Sequence, residues 1–296
     1  MRENLGKAMA LALALAACGP TPRDPGTTPD GSGGGVVDGN TSTGDSSPTG
    51  DGCSDEAKLV YVVDQNRKLS QFHPQTKTFT DLGTLSCQPS SSATPFSMAI
   101  ARDATAWVLY NNGELFRVET KNNLACTKAA WTPNTAGLKV FGMGFSTDQV
   151  GGTTDTLFIS GGSSTTTSTS TLARLDMSTF QPTTAGTVTG WPELTGTGKA
   201  ELWGFFPSTS NARIVQLDKA GGGVLQTYPL SLAGDPRAWA FAFHGGSFWV
   251  FLKKGSESYT TVYQVNSMTG ALVGQTEATG RSIVGAGVST CAPIIL

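Results

Sequence analysis

One five-residue pattern, repeated five times, constrains this chain more than any other feature. It consists of an aliphatic residue, any residue, Gln or Arg, an apolar residue, and a polar residue suited to a turn. It stands as Leu69-Ser70-Gln71-Phe72-His73, Leu115-Phe116-Arg117-Val118-Glu119, Leu172-Ala173-Arg174-Leu175-Asp176, Ile214-Val215-Gln216-Leu217-Asp218 and Val262-Tyr263-Gln264-Val265-Asn266. The copies are spaced by 42 to 57 residues, the period of a four-stranded propeller blade. After residue 57 no helical period of apolar residues lasts three turns, and short β-rich runs bounded by Gly, Asn and Pro take its place.

The neighbours of each copy repeat as well. An apolar strand precedes it, at 59–63, 106–110, 157–160, 202–206 and 248–252. Ahead of that strand, small residues alternate with larger ones, as in Phe96-Ser97-Met98-Ala99-Ile100, Phe141-Gly142-Met143-Gly144-Phe145 and Trp239-Ala240-Phe241-Ala242-Phe243. Small side chains at alternate positions suit the innermost strand, where converging blades leave little room. The first copy has no such segment before it, but Val284-Gly285-Ala286-Gly287-Val288 stands unused at the other end. The expected fold is therefore an all-β propeller of five four-stranded blades, closed by the C-terminal strand so that no sheet edge is left at the seam. Blade four has the weakest inner strand, Glu193-Leu194-Thr195-Gly196.

The first residues read as an address. Arg2 and Lys7 precede an uncharged apolar run, Ala8 to Ala17. Ten helical residues rise about 15 Å, half of a bilayer core, so the run is a secretory signal and no transmembrane anchor. It ends in Leu15-Ala16-Ala17-Cys18, which resembles the lipobox of bacterial lipoproteins. That resemblance implies cleavage before Cys18, acylation of its thiol and attachment to a membrane, more firmly than one acyl chain would give. Gly19 follows where an Asp would signal inner-membrane retention, so the outer membrane is the expected destination. Residues 19–52 are Gly, Pro, Ser, Thr and Asp with Val36 and Val37 as the aliphatics, the composition of a disordered tether. The folded domain is then expected over 53–296.

That domain resembles a group of uncharacterised bacterial lipoproteins carrying a propeller-like domain behind a low-complexity tether. The resemblance runs from about Cys53 to Pro293, on Pro95-Phe96-Ser97-Met98-Ala99, Phe141-Gly142-Met143-Gly144-Phe145, Glu193-Leu194-Thr195-Gly196-Thr197-Gly198 and Ile283-Val284-Gly285-Ala286-Gly287-Val288-Ser289-Thr290-Cys291. It implies the architecture and assigns no activity.

With Cys18 acylated, Cys53, Cys87, Cys126 and Cys291 remain. An even number in an exported chain favours two disulfides, with three possible connectivities. Cys53 lies just before the first strand and Cys291 just after the strand expected beside it, so Cys53–Cys291 is the preferred bridge. That leaves Cys87 with Cys126, although a flat drawing of the blades puts these two toward opposite faces. Four thiols at a metal site would need a CxxC spacing, which is absent.

Composition narrows the function. The formal net charge is −2 and charged residues make up 14%, against about a quarter in ordinary domains. No basic excess is available to offset phosphates, so nucleic acid is excluded as a partner. His73 and His244 are the two histidines, too few for a poly-His metal centre, and both fit turns. No GxSxG elbow, P-loop, HExxH helix or DxDxDG calcium loop is present, so neither a cofactor nor a metal is expected.

Binding is better supported. Loops at one end of the ring carry Asp64, Asn66, Arg67, Asn111, Asn112, Asp235, Arg237 and Tyr259, with Lys253 and Lys254 nearby. Trp131 and Trp191 are free to stack on sugar rings, whereas Trp107, Trp203, Trp239 and Trp249 lie on strands and read as core. The Ser163 to Thr171 tract reads as a polar loop insertion in blade three, and the Gln/Arg column as hydrogen-bonding structure. The function expected is a non-enzymatic binding or scaffold module for an envelope protein or polysaccharide. The alternative is a propeller-type glycoside hydrolase, which needs two carboxylates at the central pocket. The inner strands offer one, Glu193.

Overall fold

The computed structural model describes residues 52–295 except Ser256 and Thr279; the stretch read as a signal, Cys18 and nearly all of the stretch read as a tether lie outside the described residues. A single 3-10 turn, Glu56–Lys58, leads into the sheets. The strands in chain order are β1 (Val60–Asp64), β2 (Lys68–His73), β3 (Thr78–Thr84), β4 (Pro95–Ile100), β5 (Thr105–Tyr110), β6 (Leu115–Glu119) and β7 (Ala125–Lys128). Then come β8 (Val140–Thr147), β9 (Asp155–Gly162), β10 (Thr169–Leu175), β11 (Pro182–Thr189), β12 (Glu193–Gly196), β13 (Leu202–Phe206), β14 (Arg213–Leu217) and β15 (Val224–Pro229). The last are β16 (Pro236–His244), β17 (Ser247–Lys254), β18 (Thr260–Asn266), β19 (Leu272–Ala278) and β20 (Ile283–Gly287).

These strands form five four-stranded antiparallel sheets, β20-β1-β2-β3, β4-β5-β6-β7, β8-β9-β10-β11, β12-β13-β14-β15 and β16-β17-β18-β19. Each is a blade, and the repeat seen in the sequence is the third strand of every one. The C-terminal strand does close the first blade, with Tyr61 opposite Gly287 and Val63 opposite Gly285. The Ser163 to Thr171 tract is shorter as a loop than its composition indicates, because Thr169–Thr171 already belong to β10.

Burial follows the radius of the ring. The second strands β1 and β13 are buried at every residue, while the outermost β15 is exposed at all but Tyr228. Between neighbouring blades lies an apolar cluster, one in each of the five gaps. The gap between blades five and one holds Phe72 against Trp249, centroids 5.1 Å apart, and Phe251 at 5.3 Å, both edge-on. Removing such a buried ring costs about 3–5 kcal/mol, so each seam is a strong contact. At the axis the backbones themselves meet. A Cβ on Gly144 of β8 would stand 2.8 Å from the Leu194 carbonyl carbon of β12, closer than any side chain tolerates. The small residues of the inner strands thus let the ring contract to five blades.

Both expected disulfides form. Cys53 and Cys291 have Cα atoms 5.8 Å apart across 238 residues, and Cys87 and Cys126 have theirs 5.0 Å apart across 39. The flat drawing misplaces the second pair because strands in a sheet twist by about 20–25° per step. Three steps swing the outermost strand far from the axis direction, which carries the end of β3 sideways to blade two. There Ser86 Oγ donates to the Leu124 carbonyl at 3.4 Å, two residues before Cys126.

On the underside, the chain after β20 is fastened twice more. Ser289 Oγ donates to the Ala57 carbonyl at 2.8 Å, and Thr290 Oγ1 to Asp155 at 2.6 Å. Asp155 also pairs with Arg102 at 3.0 Å.

Candidate functional site

Every inner strand begins on the same face of the ring, so five strand starts converge on the axis there. Phe96 of β4, Gly142 of β8, Glu193 of β12, Trp239 of β16 and Val284 of β20 contribute to the resulting mouth. Two cavities open on it. The first, about 200 Å³, is lined by Asn111, Arg237 and Val284 among others. The second, about 330 Å³, is lined by Trp191, Thr165, Thr167 and Ser168. Phe96, Glu193 and Trp239 line both, so the cavities adjoin over the Glu193 carboxyl.

Glu193 opens the four-residue inner strand of blade four and is paired with Phe205 of β13. Its side chain is 3% exposed. The Ser97 hydroxyl donates to its Oε2 at 2.8 Å and accepts from the Met143 amide at 3.2 Å. Burial pushes the carboxyl well above the usual range, with the Ser97 hydrogen bond working against that shift. Burial thus favours its protonated form, which can donate a hydrogen bond as well as accept one. Among the described residues that line the mouth, it is the one carboxylic acid.

Of the nine ligand-binding residues expected from sequence, Asn111, Glu193 and Arg237 come together in the first cavity. Asn111 Nδ2 donates to Thr94 Oγ1 at 3.2 Å, and Arg237 pairs with Asp235 at 2.7 Å at the exposed rim. Asp64 is buried and accepts from the Asn66 and Lys68 amides, both at 2.8 Å, so it holds the β1–β2 turn. Asn66 and Arg67 form that turn, with Arg67 at φ 68°, and neither lines the mouth. Asn112 donates to Glu114 at 2.9 Å, within a network that includes the Ser90 amide and Lys128. Tyr259 is 48% exposed and lines neither cavity.

The tryptophans divide differently from the sequence expectation. Trp131 is buried against Phe141, its Nε1 donating to the Gly113 carbonyl at 3.0 Å, so it has no face to offer a sugar. Trp203 and Trp249 are core, as expected. Trp239 is half-buried and serves the mouth, while Trp191 does lie where a ligand would reach it. Trp239 and Phe96 escaped notice because they sit on strands. The signal that marks them is their place at the first large position of the inner-strand alternation, beside the axis. In the Gln/Arg column, Arg174 reaches the next blade at the Lys219 carbonyl, 3.0 Å away, and Gln264 donates to Ser247 at 3.1 Å.

The opposite face carries other hollows. One of about 320 Å³ includes Arg102 and Asp155, whose charges already satisfy each other and the C-terminal segment. Another, about 230 Å³, is lined by both histidines. His73 shares a hydrogen bond with Thr80 at 2.8 Å, and burial lowers the His244 pKa. Among the described residues no three His, Cys, Asp or Glu side chains are grouped to hold a metal ion. No helix among them is long and apolar enough to cross a membrane.

No protein-family model matches this chain, and no curated protein does. Solved structures do resemble it. A protein of unknown function from Bacteroides caccae is 14% identical with a TM-score of 0.38, over 74% of this chain and 73% of that one. An exo-β-1,3-galactanase from Phanerochaete chrysosporium, solved with β-1,3-galactotriose, is 9% identical with a TM-score of 0.46, over 74% of this chain and 54% of that one. Hydrazine synthase from Kuenenia stuttgartiensis is 12% identical with a TM-score of 0.40, over 79% and 67%.

Proposed function

We propose that this chain is a lipid-anchored protein of the cell envelope, attached at the outer membrane through Cys18, whose propeller binds envelope polysaccharide at the axial mouth. The observation that carries the reading is the mouth itself, where the aromatic side chains of Phe96, Trp191 and Trp239 surround the buried Glu193. A sugar ring has an apolar face of C–H groups and an edge of hydroxyls. Aromatic faces suit the first, and Asn111, Thr165, Thr167 and Glu193 suit the second. The low charge of the chain fits an uncharged ligand better than a polyanion.

A thermal-shift screen of residues 53–296 against envelope polysaccharides and their oligosaccharides tests it. A ligand at 100 times its dissociation constant adds about 2.7 kcal/mol, which raises the melting point by a few degrees. A flat response across the panel refutes carbohydrate binding and points to an envelope protein as the partner. The anchor is tested separately: Cys18→Ser should move the full chain from the membrane to the soluble fraction with its fold intact.

Hydrolysis is the second reading, favoured by one observation. Burial shifts the Glu193 carboxyl toward the protonated form that a general acid needs. A glycosidase also needs a partner carboxylate, and Asp235, the nearest acid in sequence to the mouth-lining Arg237, is bound to that arginine. Glu193→Gln decides between the two: a binding module keeps near-normal affinity, whereas a hydrolase loses most of its turnover.

A further inference from the structure

The mouth has a division that the carbohydrate reading does not require, and the following rests on that reading. Its two cavities adjoin over Glu193, and each has its own far wall. The first ends on Asn111 and Arg237, the second on Trp191 and the β9–β10 turn. At about 200 Å³ the first is smaller than the roughly 300–1,000 Å³ typical of small-molecule sites. The second, about 330 Å³, stands near the lower end of that range. Only the joined pair has ample room for a ligand of more than one ring.

Trp191 is fixed in place by structure on both sides. Its Nε1 donates to the Thr167 carbonyl at 2.7 Å. The edge of its indole lies 3.1 Å from where a Cβ at position 162 would stand, so Gly162 leaves the space that the ring occupies. Thr165, Thr167 and Ser168 of the same turn line the cavity beside it. A flat ring braced at both ends, with hydroxyls along one side, is pre-organised before any ligand arrives, which lowers the entropy lost on binding. Trp239, which lines both cavities, supplies the aromatic side chain of the first, beside Asn111 and Arg237.

We infer that the mouth is a two-ring site for an uncharged oligosaccharide, with one sugar unit over Trp239 and Asn111, the next over Trp191 and the Ser163–Ser168 turn, and Glu193 beneath the linkage between them. In this arrangement Trp191 sets chain-length preference, and the turn that braces it is a specificity element.

The test is calorimetric titration of the full chain carrying Cys18→Ser with glucose, cellobiose and cellotriose, and with N-acetylglucosamine and its dimer and trimer. In at least one series affinity should rise tenfold or more from one ring to two. Trp191→Ala should erase that gain while leaving single-ring affinity within about twofold, and Trp191→Phe, which keeps a ring and loses the Thr167 bond, should fall between. Trp239→Ala should weaken every length alike. Equal affinity at all lengths, or a loss in Trp191→Ala that is the same for one ring and two, overturns the two-ring site and leaves carbohydrate binding standing. If neither series binds, both fall. Displacement of a bound sugar by a proline-rich peptide at comparable affinity would also overturn it, assigning the aromatic mouth to a protein partner.

Discussion

Replacing Glu193 by Gln should stabilise the protein, and the gain should grow with pH. An unfolded glutamate ionises near 4.5, and in the fold burial raises Glu193 well above that. The sign follows from proton counting. Between the two values the unfolded chain has released a proton that the folded chain still holds. The stability that Glu193 contributes is therefore fully present below about 4.5 and is lost as pH rises toward and through the folded value. One proton difference corresponds to about 1.4 kcal/mol per pH unit. Gln has the same shape, accepts from Ser97 as the acid does, and does not titrate. The other ionisable groups are shared by both proteins, so their contributions cancel in the difference. Urea unfolding of both proteins at pH 5 and pH 6 should show the difference widening in favour of Gln, with about 1.4 kcal/mol as the ceiling for that one-unit step. Two curves that stay parallel would mean that Glu193 is solvated or already ionised, and the reasoning that burial favours its protonated form would fail.

His244 titrates in the opposite sense. Burial lowers its pKa in the fold, so its contribution is present above the unfolded value near 6.5 and is lost as pH falls below that toward the folded value; His244→Asn should flatten the fall in melting temperature over that window. Breaking the Cys53–Cys291 bridge by a Cys→Ser pair should cost about 5.5 kcal/mol by loop entropy and breaking Cys87–Cys126 about 4 kcal/mol, given closed loops of 238 and 39 residues; unfolding free energies extrapolated to zero denaturant with each variant's own slope check the ranking. Gly144→Val should destabilise by 3 kcal/mol or more as an overpacked core position, since its Cβ would press on the Leu194 carbonyl at 2.8 Å; a soluble variant with wild-type melting behaviour would mean that the inner strands have slack.

The ring was readable because each blade repeats the same physical problem. A strand buried on both faces must be apolar, an axial strand must be thin, and a hairpin turn must be polar, so period and alternation exposed all five blades and the displaced twentieth strand. Glu193 stood out for the same reason, as a charged residue type in a column of small and apolar ones. What stayed hidden depends on directions that sequence spacing does not contain. Trp239 and Trp249 are both strand tryptophans, yet one meets the mouth and the other a seam. Trp131, placed outside the regular strands, turned out to be buried. The two histidines share a cavity only because blade one closes against blade five. The Cys87–Cys126 contact depends on twist accumulated across a blade, a quantity with no local signature.

The position of the first bridge has a mechanical meaning. Blade one is a seam, held by hydrogen bonds between β1 and β20, and a pull on the chain ahead of Cys53 would load that seam one rung at a time. Rungs that break in sequence resist far less than rungs that share the load. The Cys53–Cys291 bond stands before β1 and after β20 at once, so such a pull passes through a covalent link to both strands of the seam together. Any tension on the chain ahead of Cys53 is thus borne by the ring as a whole, and the blade cannot be unzipped from that end while the disulfide stands.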